Sequence, residues 1–348
     1  MTAATDAVAS GYHSLMARRV MVLILGLAAL VASFVLDVAT GPAMLRPEAV
    51  IRSVLRLAED RTVDAIVWSI RLPIALIALV VGASLGLTGA TMQTILNNPL
   101  ASSYTLGVSA GAGFGAALVI VFGQAIPLPE HYAIPVMAFV FAGLACSGVY
   151  AIGRSRGATA QVLVLAGIAF LFLFQSLLSL LQFVASPEAL QSIVFWLFGS
   201  LQKATWPKVG IVAAVLAGCI PVLVVDVWRL TALRLGDDRA RGLGIDVRAL
   251  RLRALLVVSV LTGAAVAFVG TIGFIGLVAP HIARILVGED QRAFLPASAL
   301  FGALLLSCAS VASKAIIPGA IFPIGIVTSL IGVPFFIWLI TSSRKVFW

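Results

Sequence analysis

The chain has 348 residues, of which 61% are hydrophobic and only 11% charged, with a mean hydropathy of +1.13. A soluble domain carries about 25% charged residues, so this composition excludes a soluble enzyme or binding module and defines a polytopic membrane protein. The net charge of +9 does not argue for nucleic acid, because the basic residues collect in loops between apolar runs, where positive-inside bias puts them.

In chain order, residues 1–19 read as a polar cytoplasmic tail. Val20 to Leu36 follows Arg18 and Arg19 and is the first predicted span. It is longer than a signal-peptide core and lacks a small-residue cleavage site, so it reads as retained. Residues 37–64 form a mixed-charge outer loop with Gly41-Pro42 and a short surface helix. Leu72 to Pro129 contains no Asp, Glu, Lys or Arg. At about 20 residues per span this run holds two helices. They divide at Asn97-Asn98-Pro99, where proline disfavours helix before it, and the second starts near Leu106. Tyr132 to Gly153 is the fourth span, Arg154 and Arg156 mark the cytoplasm, and Gly157 to Ser186 is the fifth. The short apolar run 191–202 is predicted to lie at the outer interface or partly re-enter. Val209 to Val225 is the sixth span.

Trp228 to Arg253 holds seven Arg and three Asp. Each charge costs several kcal/mol in hydrocarbon, so this is a cytoplasmic loop. It divides one transmembrane domain, 1–348, into halves 20–227 and 254–348. Composition alone leaves it evenly between a topology signal and a surface for a soluble partner. Ala254 to Val269 is the seventh span. Gly270, Gly273 and Gly276 break the pattern, and Phe274 to Val287 is the eighth. After an inner loop at 288–292, Ala293 to Ser313 is the ninth. Lys314 to Phe322 is an outer turn, Pro323 to Ile340 is the tenth span, and Arg344 and Lys345 end the chain inside. On this topology fifteen Lys and Arg fall inside, seven outside, and Arg71 lies at a helix start. That bias favours ten helices with both termini cytoplasmic, although four outer Arg (46, 52, 56, 61) run against it.

Gly82/Gly86, Gly107/Gly111 and Gly111/Gly115 have the small-xxx-small spacing that lets helices approach closely, and ordinary packing is the favoured reading. Cys146, Cys219 and Cys308 lie in apolar runs without metal-like spacing. His13, His131 and His281 are too scattered for a metal cage, so no metal site is expected. There is no G-x-x-x-x-G-K-[ST], so the chain itself is not expected to bind ATP. Gly107-Val-Ser109-Ala-Gly111 matches the G-x-S-x-G nucleophile elbow, but it begins a helix rather than following a strand. No Asp or Glu lies mid-span, which disfavours an ion-coupled carrier working alone. Gln93, Gln175 and Gln182 are candidate pathway-lining residues, with hydrogen bonding across helices as the alternative for each.

Residues 71–118, 235–251, 270–303 and 322–339 resemble the FecCD-type permeases, the membrane subunits of ATP-driven importers for iron–siderophore complexes, haem and cobalamin. The motifs stand in the family's order and the resemblance covers nearly the whole chain after about residue 60. It implies an all-α bundle of about ten spans in which an inverted repeat relates spans two to five to seven to ten. It implies two permease subunits, here two copies, around a central pathway in a bacterial inner membrane. Its partners would be two cytoplasmic ATPase subunits, which hold the ATP and Mg, and a periplasmic binding protein. The substrate would be a whole iron chelate, siderophore or haem, with cobalamin the alternative.

The family's ATPase-coupling helix matches Leu235, Gly236, Asp237, Asp238, Arg239, Ala240, Arg241, Leu243 and Gly244. In this reading Asp237 and Asp238 sit at the positive helix end, Ala240 and Leu243 form the apolar contact face, Arg239 and Arg241 make rim contacts, and Gly244 ends the helix. The cytoplasmic gate matches Asn98, Leu100, Ala160 and Gln161. Cations that meet the binding protein match Arg71 and Lys314. Ile74 stands where relatives carry a further Arg, and Lys314 lacks the bidentate geometry of Arg.

Overall fold

The computed structural model describes residues 2–42, 45–57, 60–123, 127–317 and 320–342. Ten apolar helices of the described chain account for the ten predicted spans. Seven are long enough to cross a membrane: α1 (Thr2–Ala39), the continuous run Arg61–Ile95, α6 (Glu130–Arg156), α7 (Ala160–Val184), α9 (Trp206–Leu233), α11 (Val247–Val269) and α13 (Gln291–Ala315). The run at Arg61–Ile95 joins α3 (Arg61–Ile66), a π turn (Val67–Arg71) and α4 (Leu72–Ile95). Three are shorter: α5 (Val108–Phe122), α12 (Ile275–Val287) and α14 (Ile324–Ser342). The remaining helices are α2 (Pro47–Val54), α8 (Pro187–Leu197) and α10 (Asp237–Gly242). No strand occurs among the described residues, so the G-x-S-x-G motif lacks the strand that a nucleophile elbow requires; Ser109 sits buried in the first turn of α5.

Three boundaries differ from expectation. The N-terminal tail is helical and continuous with the first span. The sixth span runs eight residues further, because Asp226, buried at its expected end, is paired with Arg229 at 2.9 Å and Arg253 at 2.7 Å. A paired carboxylate does not stop a helix, so α9 and α11 both extend into the predicted loop and leave only residues 234–246 between them. The short apolar run after Pro187 forms a short helix and a turn. Ser186 caps α8, and the chain then turns inward at Gly199, where Ser200 N–H donates to the Val269 carbonyl (2.7 Å) and Gly325 N–H to the Phe198 carbonyl (2.9 Å). Arg344 and Lys345 lie outside the described residues.

Helix pairing is reciprocal. α4 packs on α13 and α11 on α6, while α5 packs on α6 and α12 on α13. That is the contact pattern an inverted repeat of α4–α7 and α11–α14 gives. Two of the three shorter helices, α5 and α12, correspond in the repeat, and each follows a break in the α-helical run. α5 follows a 3-10 turn (Ser103–Leu106) that ends at Gly107 with φ +73°, and α12 follows an extended stretch from Gly270 (φ +74°) to Phe274 (φ +66°). The small-xxx-small pattern works as packing: a methyl on Gly82 or Gly86 would strike the backbone of Gly302 or Ser298 in α13. Hydroxyls in α4 return to their own helix, Ser84 to the Val80 carbonyl (2.8 Å) and Thr91 to the Leu87 carbonyl (2.8 Å), which satisfies them inside the bundle. Arg19 near the start of the first span bonds the Val287 carbonyl and Asp290, both at 3.0 Å. The N-terminal part of α1 therefore shares its end of the bundle with the loop between α12 and α13.

Candidate functional site

The central connection folds as the sequence suggests, with one reversal. Gly236 takes φ +99°, a conformation open to glycine at little cost, and starts α10 with Asp237 and Asp238 in its first turn. The helix ends in a Schellman motif. Ile245 N–H donates to the Ala240 carbonyl (3.1 Å) and Gly244 N–H, at φ +79°, to the Arg241 carbonyl (2.9 Å). The reversal concerns Ala240, which is fully buried in the main core and not part of an outward face. A six-residue helix has only one face to anchor it, and the smallest side chain lets it sit closely on α9 and α11. The outward apolar surface consists of Leu235 and Leu243, 54% and 64% exposed, flanked by exposed Arg239 and Arg241.

The four gate candidates lie beside this connection. Asn98 is exposed in the turn after α4, where its side chain accepts the Leu100 N–H (2.9 Å). Leu100 is exposed, Ala160 half-buried and Gln161 exposed at the start of α7, where Thr159 caps the Val162 N–H (3.3 Å). Arg251 joins the two segments. It is 3% exposed, forms a bidentate pair with Asp237 (2.6 and 2.8 Å), and donates to the carbonyls of Ile95 (2.7 Å) and Ala158 (3.4 Å). A buried guanidinium needs this many acceptors to offset its desolvation. Sequence reasoning placed Arg251 among the loop arginines. Nothing in its spacing separates it from Arg248 or Arg253.

A second polar cluster adjoins the first. Arg234 donates to the Asn97 side chain (2.9 Å) and pairs with Glu289. Arg284 pairs with Glu289 at 3.1 Å and donates to Gln93 (2.8 Å). Asp290 caps α13, and its hydrogen bonds from Arg292, with a further one from Arg19, hold its carboxyl below the usual aspartate range.

The pathway candidates separate. Gln93 is fully buried and engaged by Arg284, so it lines no opening. Gln175 is exposed on α7 and Gln182 half-buried. A cleft of about 870 Å³ opens instead between the 3-10 turn, the end of α8, the start of α12 and α14. Among its lining residues are Leu100 and the hydroxyl-bearing Ser102, Ser103, Tyr104, Thr105, Thr271 and Ser329; none is charged, and none is His or Cys. The Ser-Ser-Tyr-Thr run directly after the helix break was the available signal for this lining.

The two expected docking cations are not presented outward. Lys314 is 8% exposed and bonds the Asp37 carboxylate (2.8 Å) and carbonyl (3.1 Å). Arg71 is 4% exposed and donates to the carbonyls of Val38 (3.0 Å) and Ala39 (2.7 Å). Both cap the negative end of α1, a favourable place for a cation.

An all-helical bundle with paired half-repeats, broken helices around an uncharged cleft and a short capped helix between the halves defines a membrane transport permease. The chain belongs to the FecCD transport family, whose match covers residues 29–342. It is 37% identical over 281 residues to the hemin transport system permease protein HmuU of Yersinia pestis, covering 80% of this chain and 84% of that one. It is 35% identical over 324 residues to the Fe(3+)-citrate import system permease protein YfmE of Bacillus subtilis, covering 93% and 95%. A solved inward-facing conformation assigned to a metal-chelate type ABC transporter superposes with a TM-score of 0.83 at 31% identity, covering 92% of this chain and 99% of that one.

Proposed function

We propose that the chain is the membrane-spanning subunit of an ATP-driven importer that carries an iron chelate across a bacterial inner membrane. The observation that carries this reading is the outward pair Leu235 and Leu243 on a helix anchored by buried Ala240. An exposed apolar wedge at the solvated end of a bundle fits a groove in a soluble partner, here two ATPase subunits that hold the ATP and Mg. The cleft supports a whole chelate as cargo, because its lining offers hydroxyls and apolar surface but no His, Cys or carboxylate to hold a bare metal ion. Relatives named for hemin and Fe(3+)-citrate support the same class. The exposed Phe172, Gln175 and Phe183 face of α7 and the exposed Leu330 and Ile337 of α14 support a second copy of the chain closing the pathway.

For the binding protein, Lys203 and Lys208 replace the buried Arg71 and Lys314 as candidates. They line an outer cavity of about 960 Å³ whose wall also includes Lys314; Lys203 is exposed and Lys208 half-buried, whereas Lys314 is held by Asp37. A charge reversal at Lys203 should weaken that association most at low salt; an unchanged affinity removes Lys203 from the surface. The decisive experiment reconstitutes the chain with its ATPase and titrates binding protein loaded with ferric siderophore, haem or cobalamin. Stimulated ATP hydrolysis with one cargo supports the reading and identifies the chelate. Uptake that needs no ATPase and collapses with an ion gradient would overturn it in favour of an ion-coupled carrier.

A further inference from the structure

The coupling segment is fastened at both ends to the same turn of α4. Ahead of α10, Arg234 bonds the side chain of Asn97. Behind it, Arg251 bonds the Ile95 carbonyl while its two outer nitrogens grip Asp237 of α10 itself. The turn so held leads directly into Asn98 and Leu100. Arg251 also reaches the Ala158 carbonyl, two residues before Ala160. Through Glu289, Arg234 is tied to the loop between α12 and α13 as well.

Both receiving segments carry a non-glycine residue in the left-handed region, Asn97 at φ +46° and Ala158 at φ +50°. Such residues persist where their surroundings over-determine them. The two arginines are among the groups that hold these turns.

We infer that Arg234 and Arg251 form a two-point clamp that makes α10 and the ends of α4 and α7 one mechanical unit. Both are positioning residues that convert displacement of α10 into opening of the inner end. The inference rests on the importer reading above. A set of charges that only marked topology would need no buried bidentate pair, no backbone carbonyl acceptors and no common target turn.

The test uses the complete complex in proteoliposomes and reads ATP hydrolysis and cargo uptake separately. Arg251→Lys keeps the charge but cannot serve four acceptor atoms at once. Asn97→Gly keeps access to the left-handed conformation and removes only the acceptor for Arg234. Hydrolysis stimulated by loaded binding protein should continue in both variants, while cargo moved per ATP falls roughly tenfold, the change expected from one lost charge-assisted hydrogen bond. A purely structural role would move hydrolysis and uptake together. Wild-type uptake per ATP in both variants would overturn the clamp. If Arg251→Lys does not assemble, Asn97→Gly combined with Arg234→Gln decides on the same ratio. A wild-type chain that couples to no ATPase would remove the clamp together with the importer reading, and that outcome is visible before any variant is made.

Discussion

Replacing Lys314 by methionine separates a buried structural cation from a docking cation. The Lys314 Nζ lies 2.8 Å from the Asp37 carboxylate, with side chains 5% and 0% exposed. At an effective dielectric of about 20 the attraction at that distance is roughly 6 kcal/mol before desolvation. Desolvation of the two ions cancels most of it, so the pair as a whole adds little to stability. Removing one partner is different, because it leaves Asp37 charged, buried and alone. Lys314→Met should therefore cost about 3–5 kcal/mol. The double variant Asp37→Asn with Lys314→Met should recover most of that loss, giving a coupling energy of about 2 kcal/mol or more. Denaturant unfolding in mixed micelles, followed by tryptophan fluorescence across the four members of the cycle, measures both quantities. A single variant within about 0.5 kcal/mol of wild type, or additive costs, would refute the reasoning. If Lys314 instead served the binding protein, the single variant would keep its stability and lose affinity, and Asp37→Asn would restore nothing.

Leu243→Asp should leave the stability of the isolated chain unchanged within about 0.5 kcal/mol while abolishing co-purification with an ATPase. Ala240→Leu should do the reverse in the isolated chain, destabilising it by about 1–3 kcal/mol through overpacking; unfolding curves and pull-downs on the two variants distinguish these outcomes. Gly302→Val would drive a branched side chain into the Gly82 and Gly86 backbone of α4. A monodisperse, correctly folded protein on gel filtration would contradict the close packing of α4 on α13. Asp290 has its folded-state pKa depressed by Arg292 and Arg19. Its contribution to stability is therefore present above the unfolded value near 3.9 and lost as pH falls through the lower folded value. Asp290→Asn should flatten that acid limb, and stability profiles between pH 2 and 6 that coincide for the two proteins would count against it.

The sequence by itself determined the membrane class, the helix count and the charged central connection, because each depends on local quantities. An uncharged run from Leu72 to Pro129 must be two helices, and Asn97-Asn98-Pro99 must divide them. Gly236 and Gly244 likewise announced the ends of α10, since their positive φ angles are local requirements. Side-chain roles that depend on distant partners were not legible. Arg71 and Lys314 read as free outer cations until α1 brought its C-terminal carbonyls and Asp37 against them, from 33 and 277 residues away in the chain. Ala240 read as an outward contact until packing on α9 and α11 turned it inward. Arg251 is one of seven arginines in a short stretch, and only folding sets it among Ile95, Ala158 and Asp237. The physical reason is common to all three. Hydropathy and backbone preference are properties of a segment, whereas burying a charge is decided by whether the rest of the chain supplies acceptors to meet it.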